Sequence, residues 1–322
     1  MSFSQTGSLS KTGSILIGTA GWSYSHWNGV VYPKPYSSGH HPAGFSRLAF
    51  LAERFDTVEI NSSFYQALKP EVTKLWMKTV SGNPKFQFTA KLNQQFTHGR
   101  DLTDSAVETF KDGLWPLLRG RKLGALLMQF PWSFRFTPEN QEFLIRLRRA
   151  FHEFPLAAEM RHSSWLAEDA MGTFLDYRIG FCNIDQPEYT SAMPATANLT
   201  SGVGYIRLHG RNPKNSLGAF DRQSPARLRQ HDYLYSEAEL ADWAKRIERV
   251  SRYSDATFVI FNNDAAGKSV VNSLQLQSMI AGRPASGHLT ASYVPKDLRR
   301  KFPVQLQDLG KPAQQQYLFS AA

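Results

Sequence analysis

Several stretches of the chain place polar or charged residues two apart among apolar ones, a spacing that puts them on one face of a strand. "TVEIN" offers Glu59 and Asn61 opposite Val58 and Ile60, and "QFTAK" offers Gln87, Thr89 and Lys91 opposite Phe88 and Ala90. "LMQF" contributes Gln129, and "LAAEMRH" contributes Glu159 and Arg161. Further on come Asp185, then Tyr205, Arg207 and His209 in "YIRLHG", and finally Asn262 and Asp264 in "FNND". Glu59 and Glu159 make an acid–base pair if neighbouring cations hold one of them ionised. Arg161, Arg207 and Lys91 are charge clamps for an anionic group, and His209 is a proton carrier or a ligand. Asn61, Gln129, Asn262 and Asp264 complete a polar lining for a substrate.

Two other chemistries compete for the same residues. A divalent metal is the one cofactor suggested, on His209 with Glu59, Glu159, Asp185 or Asp264, but no HExxH or paired-cysteine spacing supports it. Alternatively, Lys91, Arg161 and Arg207 neutralise Glu59, Glu159, Asp185 and Asp264 in a purely structural plug. Each buried ion gives up several kcal/mol of hydration, which favours a ligand site over a plug.

Gly267, Lys268 and Ser269 open a helix directly after "FNND", where backbone N–H groups of barrel proteins commonly hold phosphate. The stretch is not a P-loop, because Asn262 stands where that pattern needs glycine. Near the start, "GWSYSHWNGVVYP" gathers Trp22, Tyr24, Trp27 and Tyr32, rings that stack on sugars or bases or else close a hydrophobic lid. Cys182 reads as a core residue.

These side chains need a frame that brings them together. Apolar runs of strand length recur at Ile15–Gly21, Thr57–Phe64, Phe86–Leu92, Gly124–Phe130, Leu156–His162, Ile179–Asp185, Val203–Gly210 and Thr257–Asp264. Their spacing is roughly the thirty-odd residues of a βα unit. Between them, Phe45, Leu48, Leu51 and Phe55 form an amphipathic stripe. Thr137 with Pro138 marks a helix start, and Ser236 with Glu239 is a capping box. The link from Asp185 to Gly202 shows no helical period and is expected to be irregular. Eight strands alternating with helices predict an α/β fold, a TIM-type (β/α)8 barrel of parallel strands, with its working residues at the C-terminal strand ends. The expected organisation is a disordered polar N-terminus over 1–14, a barrel domain over 15–282, and a C-terminal extension over 283–322.

The totals agree. With 322 residues, 42% hydrophobic, the chain can bury a large core. A single cysteine allows no intrachain disulfide and fits a reducing compartment. No apolar run approaches the roughly 18 residues of a membrane span, so a cytoplasmic protein without a membrane partner is expected. A net charge of +10 favours an anionic small molecule or nucleic acid as partner.

Taken in order, "GTAGWSYSHWNGVVYP", "FDTVEINSSFY", "FTAKLNQQFTH", "LGALLMQFPWSF", "AAEMRHSSW", "YIRLHGR" and "FNNDAAGKSVVN" resemble the YecE-like family, domain of unknown function 72. The resemblance spans most of the chain and implies a TIM-barrel-like fold without a settled activity. Likeness of that fold to apurinic endonuclease-type and sugar-isomerase-type barrels implies, by analogy alone, a phosphodiester or sugar substrate. The family's recurring polar residues fall on Trp22, Glu59, Asn61, Tyr65, Lys91, His98, Gln129, Glu159, Arg161, His162, Trp165, Arg207, His209, Asn262, Asn263 and Asp264. Met160 stands where an aromatic is usual, and Ser163 where proline is. The resulting expectation is a hydrolase- or isomerase-type enzyme with Glu59, Glu159 and His209 as catalytic residues. Its substrate would be anionic and phosphate-bearing, a sugar phosphate or a nucleic-acid phosphodiester. The competing expectation is a nucleic-acid-binding protein without chemistry, using the basic surface and the aromatic loop.

Overall fold

The computed structural model describes residues 13–39, 41–212, 231–281 and 296–306. Eight strands form one closed barrel: β1 (Ser14–Ala20), β2 (Thr57–Ile60), β3 (Gln87–Lys91), β4 (Leu123–Gln129), β5 (Leu156–Glu159), β6 (Gly180–Asp185), β7 (Val203–Leu208) and β8 (Ala256–Phe261). Each strand runs parallel to the next, and β8 returns to pair with β1. The chain is therefore a TIM-type (β/α)8 barrel.

The expected strands all form, but several stop short at their C-terminal ends. β2 ends at Ile60, and Asn61 already has helical φ and ψ leading into the turn Ser62–Phe64. β5 ends at Glu159, before a turn at Ser163–Leu166. The polar residues that follow each strand thus lie on its rim and not within the ladder.

Alternation sorts side chains between the barrel interior and the helices outside. Ile206, Leu208, Val259 and Phe261 face out and pack with Leu240, Trp243 and Ile247 of the helix Glu237–Ser251. Burying each of these side chains contributes about 1.5–3 kcal/mol. Tyr205 and Phe258 face in, with ring centroids 6.2 Å apart. Gly124 makes room for that interior packing, because a Cβ there would lie 2.0 Å from the Phe258 ring. The same residue is passed over where the β3–β4 register shifts, Phe88 pairing with Leu123 and Thr89 with Ala125. That extra residue turns Ala125, Leu127 and Gln129 to the face shared with Thr89 and Lys91.

The helical punctuation read from the sequence is realised. Ser236 Oγ accepts from the Glu239 N–H while the Glu239 carboxylate accepts from the Ser236 N–H. Thr137 Oγ1 caps the helix Pro138–Ala150 by accepting from Asn140 N–H. Residues 186–202 carry no helix, as their lack of period implied. Of the C-terminal extension, Lys296–Lys301 and Pro303–Leu306 form short helices with Leu298 and Leu306 buried. Gly13 and Ser14, at the edge of the expected disordered terminus, already join the barrel: Gly13 N–H donates to Ser251 O and Ser14 begins β1. Residues 1–12, and the rest of the C-terminal extension, lie outside the described residues. Among those described, no helix is long and apolar enough to cross a membrane.

Candidate active site

Three strands that are not neighbours aim charged side chains at one point in the barrel interior: Glu59 from β2, Glu159 from β5 and Arg207 from β7. Arg207 Nη2 donates to Glu59 Oε1 at 2.7 Å. Its Nη1 donates to Glu159 Oε2 at 2.5 Å and to Gln129 Oε1 at 3.1 Å. Glu59 and Glu159 are fully buried and Arg207 is 1% exposed, so solvent does not screen these pairs. Tyr205 donates its hydroxyl to Glu59 Oε2 at 2.9 Å and lies 2.8 Å from Thr89 Oγ1.

Above this floor the charges reach toward the mouth. Arg161 Nη2 stands 2.6 Å from Glu159 Oε1, and its Nη1 donates to Gln186 Oε1 at 3.1 Å. His209 Nε2 is 3.3 Å from the same Glu159 oxygen and 3.1 Å from Arg161 Nη2. Neither contact with Glu159 Oε1 has hydrogen-bond alignment, leaving that oxygen without an aligned donor. His209 Nδ1 faces the Asn262 amide at 2.9 Å. With the proton on Nε2, Nδ1 accepts from the Asn262 amide. A proton on Nδ1 is accepted by Asn262 once its amide turns over, and Nε2 then accepts from Arg161. The imidazole can thus exchange tautomers with little movement around it.

These surroundings set the protonation states. Burial disfavours charge on Glu159, but Arg161, Arg207 and His209 overcome it and hold the carboxyl well below its usual range. Burial, reinforced by Arg161, pushes His209 well below the usual imidazole value, so it is neutral near pH 7. Burial disfavours charge on Arg207 too, yet Glu159 and Glu59 drive its pKa further up. Glu159 is therefore ionised at neutral pH. Lys91 differs from all of them. Burial, then repulsion from Arg207, brings its ammonium down to about 7, against partial support from Glu59 and Glu159. Its Nζ lies 4.2 Å over the Phe64 ring and has no ion-pair partner among the described residues.

Other residues singled out in the sequence are placed elsewhere. Asp185 faces outward from β6, where Arg211 Nε contacts both its carboxylate oxygens at 3.0 Å, and Arg211 Nη1 reaches Glu239 at 3.1 Å. Arg211, and not Lys91, Arg161 or Arg207, thus neutralises Asp185. Asp264 is held by the loop after β1: its carbonyl accepts from Trp27 Nε1 at 2.7 Å, and His26 Nε2 lies 3.6 Å from Oδ2. Asn263 is buried, donating to Tyr233 O and Asn272 Oδ1, each at 2.8 Å. Trp22 packs edge-on against Trp76 at 5.0 Å, and Trp27 and Tyr32 are core residues. Tyr65 is 39% exposed at the rim, beside Phe64, and Asn61 stands near Gly21.

Two residues of the Gly267–Ser269 segment are likewise engaged. Gly267 N–H donates to Asp264 O and Lys268 Nζ pairs with Asp232 at 2.6 Å, whereas Ser269 is fully buried with its hydroxyl lacking a hydrogen-bond partner among the described residues. A Cβ on Gly267 would meet Val31 at 2.8 Å, so its packing role is steric. Among the described residues, no three His, Cys, Asp or Glu side chains stand where they could hold a metal ion. Thr89, read from the sequence as inward-facing with Lys91 but given no role, and Gln186, which the sequence reading missed, join the charged cluster. Gln186 follows β6 in a link without period.

A parallel barrel with a buried charge lattice at its C-terminal mouth is an α/β barrel of the kind that carries sites at strand ends. The chain matches the family described as "Protein of unknown function DUF72" over residues 16–296, and it belongs to that family. It is 26% identical over 282 residues to the UPF0759 protein YunF of Bacillus subtilis (strain 168), covering 83% of this chain and 94% of that one. A DUF72 family protein of Thermotoga maritima MSB8 superposes with a TM-score of 0.69 at 29% identity, covering 83% of this chain and 99% of its own. One from Enterococcus faecalis V583 gives 0.70 at 24% identity, covering 83% and 95%, a likeness of fold.

Proposed function

We propose that this protein is an enzyme of isomerase or hydrolase type, acting at the barrel mouth on a small anionic substrate of the sugar-phosphate class. The observation that carries this reading is the way the lattice ends at the surface. Glu59, Glu159, Arg207 and Arg161 cancel in charge, and Lys91 adds positive charge that nothing in the lattice offsets. Arg161 has 22% of its side chain exposed, against 1% for Arg207, so the lattice presents a guanidinium to an incoming anion. Neutral His209 beside it supports proton transfer to or from a bound molecule.

A polynucleotide-binding role has less support, because the aromatic loop after β1 is turned into the core. The decisive measurement is thermal stability and calorimetric binding with a panel of sugar phosphates and inorganic phosphate, on wild type and Arg161→Gln. At least one anion is expected to raise Tm for wild type, and Arg161→Gln is expected to weaken its binding tenfold or more. If no anion binds, or Arg161→Gln binds as wild type does, the reading is wrong.

A further inference from the structure

Lys91 is the charged group of the mouth that the lattice leaves over. It closes β3 on the face shared with Thr89 and Leu127, and Ser63 Oγ fixes its backbone by donating to the carbonyl at 2.7 Å. A lysine kept for charge balance would reach a carboxylate. Here Glu59 is taken by Arg207 and Tyr205, and Glu159 by Arg207 and Arg161. The amine instead lies against the Phe64 ring, in a residue that is 8% exposed and so nearly but not wholly sealed from solvent.

We propose that Lys91 Nζ is a nucleophile that condenses with the carbonyl carbon of an anionic aldehyde or ketone, making an imine in the barrel mouth. The anionic part of this assignment rests on the proposed function; the nucleophile does not. In the step, the nitrogen lone pair attacks the carbonyl carbon and the carbonyl oxygen takes up a proton. The carbinolamine then expels that oxygen as water, which carries away the two protons lost from nitrogen. One C=N bond replaces one C=O bond, no oxidant or reductant is required, and hydrolysis restores the amine. Such a step needs free amine at neutral pH.

The groups facing Lys91 supply it. Arg207 and Arg161 repel an ammonium, Glu59 and Glu159 favour it, and burial tips the balance so that about half the amine is unprotonated near pH 7. An ordinary exposed lysine has roughly a thousandfold less free amine at that pH. The like-charge influence is mutual, for Lys91 in turn helps lower His98, whose own burial is the larger cause.

The test is reductive trapping on the full chain, mapped lysine by lysine with peptide mass spectrometry. Formaldehyde with cyanoborohydride reports intrinsic reactivity, and pyruvate and dihydroxyacetone phosphate with borohydride report anionic carbonyl compounds. At pH 7, Lys91 is expected to be modified at least tenfold faster than any exposed lysine. Adducts of one or both anions are expected at Lys91 and not in Lys91→Arg. Labelling spread over surface lysines, with Lys91 no faster than the rest, would overturn the nucleophile, and wild type alone suffices to show it. Selective formaldehyde labelling with no adduct from either anion would retain the nucleophile and overturn the anionic substrate class.

Discussion

Replacing Lys91 by methionine is expected to stabilise the fold, and by an amount that depends on pH. The folded protein holds the Lys91 ammonium at about 7, down from 10.5, so it binds this proton less tightly than the unfolded chain does. Each tenfold step in that affinity is worth about 1.4 kcal/mol, which makes the burden on the folded state about 5 kcal/mol. The sign follows from proton linkage. Below pH 7 both states carry the proton and the folded state bears the full burden. Between pH 7 and 10.5 the unfolded chain binds more protons, wild-type stability climbs with pH, and the burden fades. Methionine keeps an unbranched stem against Phe64 without the charge. Lys91→Met is thus expected to gain about 5 kcal/mol at pH 6 but only about 2 kcal/mol at pH 9. Urea unfolding of both proteins at these two pH values measures the difference directly. An equal difference at both, or a loss at pH 6, would refute the account of Lys91 as a buried cation without a counter-charge.

Two further outcomes are expected. Arg207→Met leaves Glu59 and Glu159 buried without the guanidinium that joins them, a loss of about 3–5 kcal/mol in a denaturation midpoint. Adding Glu59→Gln and Glu159→Gln to the same chain should recover most of it, and no recovery would mean that Arg207 acts through packing instead. Cys182 is fully buried, and burial with the nearby Glu159 pushes its thiol well above the usual value. It should therefore resist Ellman's reagent in the native protein and react in urea; rapid native labelling would place it outside the core.

Much of the frame was legible in the sequence because alternation is a local property. Each strand announced itself through its apolar face, and the inward sets Glu59, Thr89–Lys91, Glu159 and Tyr205–His209 follow from counting by two. The position of Gln129 does not, since its inward face depends on the register shift at Gly124, which is a property of two strands together. Asp185 shows the opposite limit. Its place at a strand end suggested the mouth, yet parity with outward-facing Asn183 puts it with Arg211 and Glu239. The aromatic loop left two readings open, stacking surface or hydrophobic lid, and what decides for the packed one is not local: Trp22 meets Trp76, a contact between segments 54 positions apart. His162 is a turn residue, its ring accepting from Ser164 N–H at 3.1 Å. The protonation states were least legible, because they arise from charges converging from separate strands.

The bridge from Arg207 also bears on how the barrel is made. Glu59 and Arg207 are 148 residues apart in the chain, and Glu159 and Arg207 are 48 apart. Contacts of such separation form late, after the loop-closure entropy of the intervening chain has been met. A chain folded only through β6 has Arg161 and Lys91 as the cations near Glu59 and Glu159, but not the guanidinium that touches both carboxylates at once. The bridge that joins β2, β5 and β7 therefore exists only in a barrel that contains β7, so the ionic floor is a property of the closed barrel and not of its first six strands.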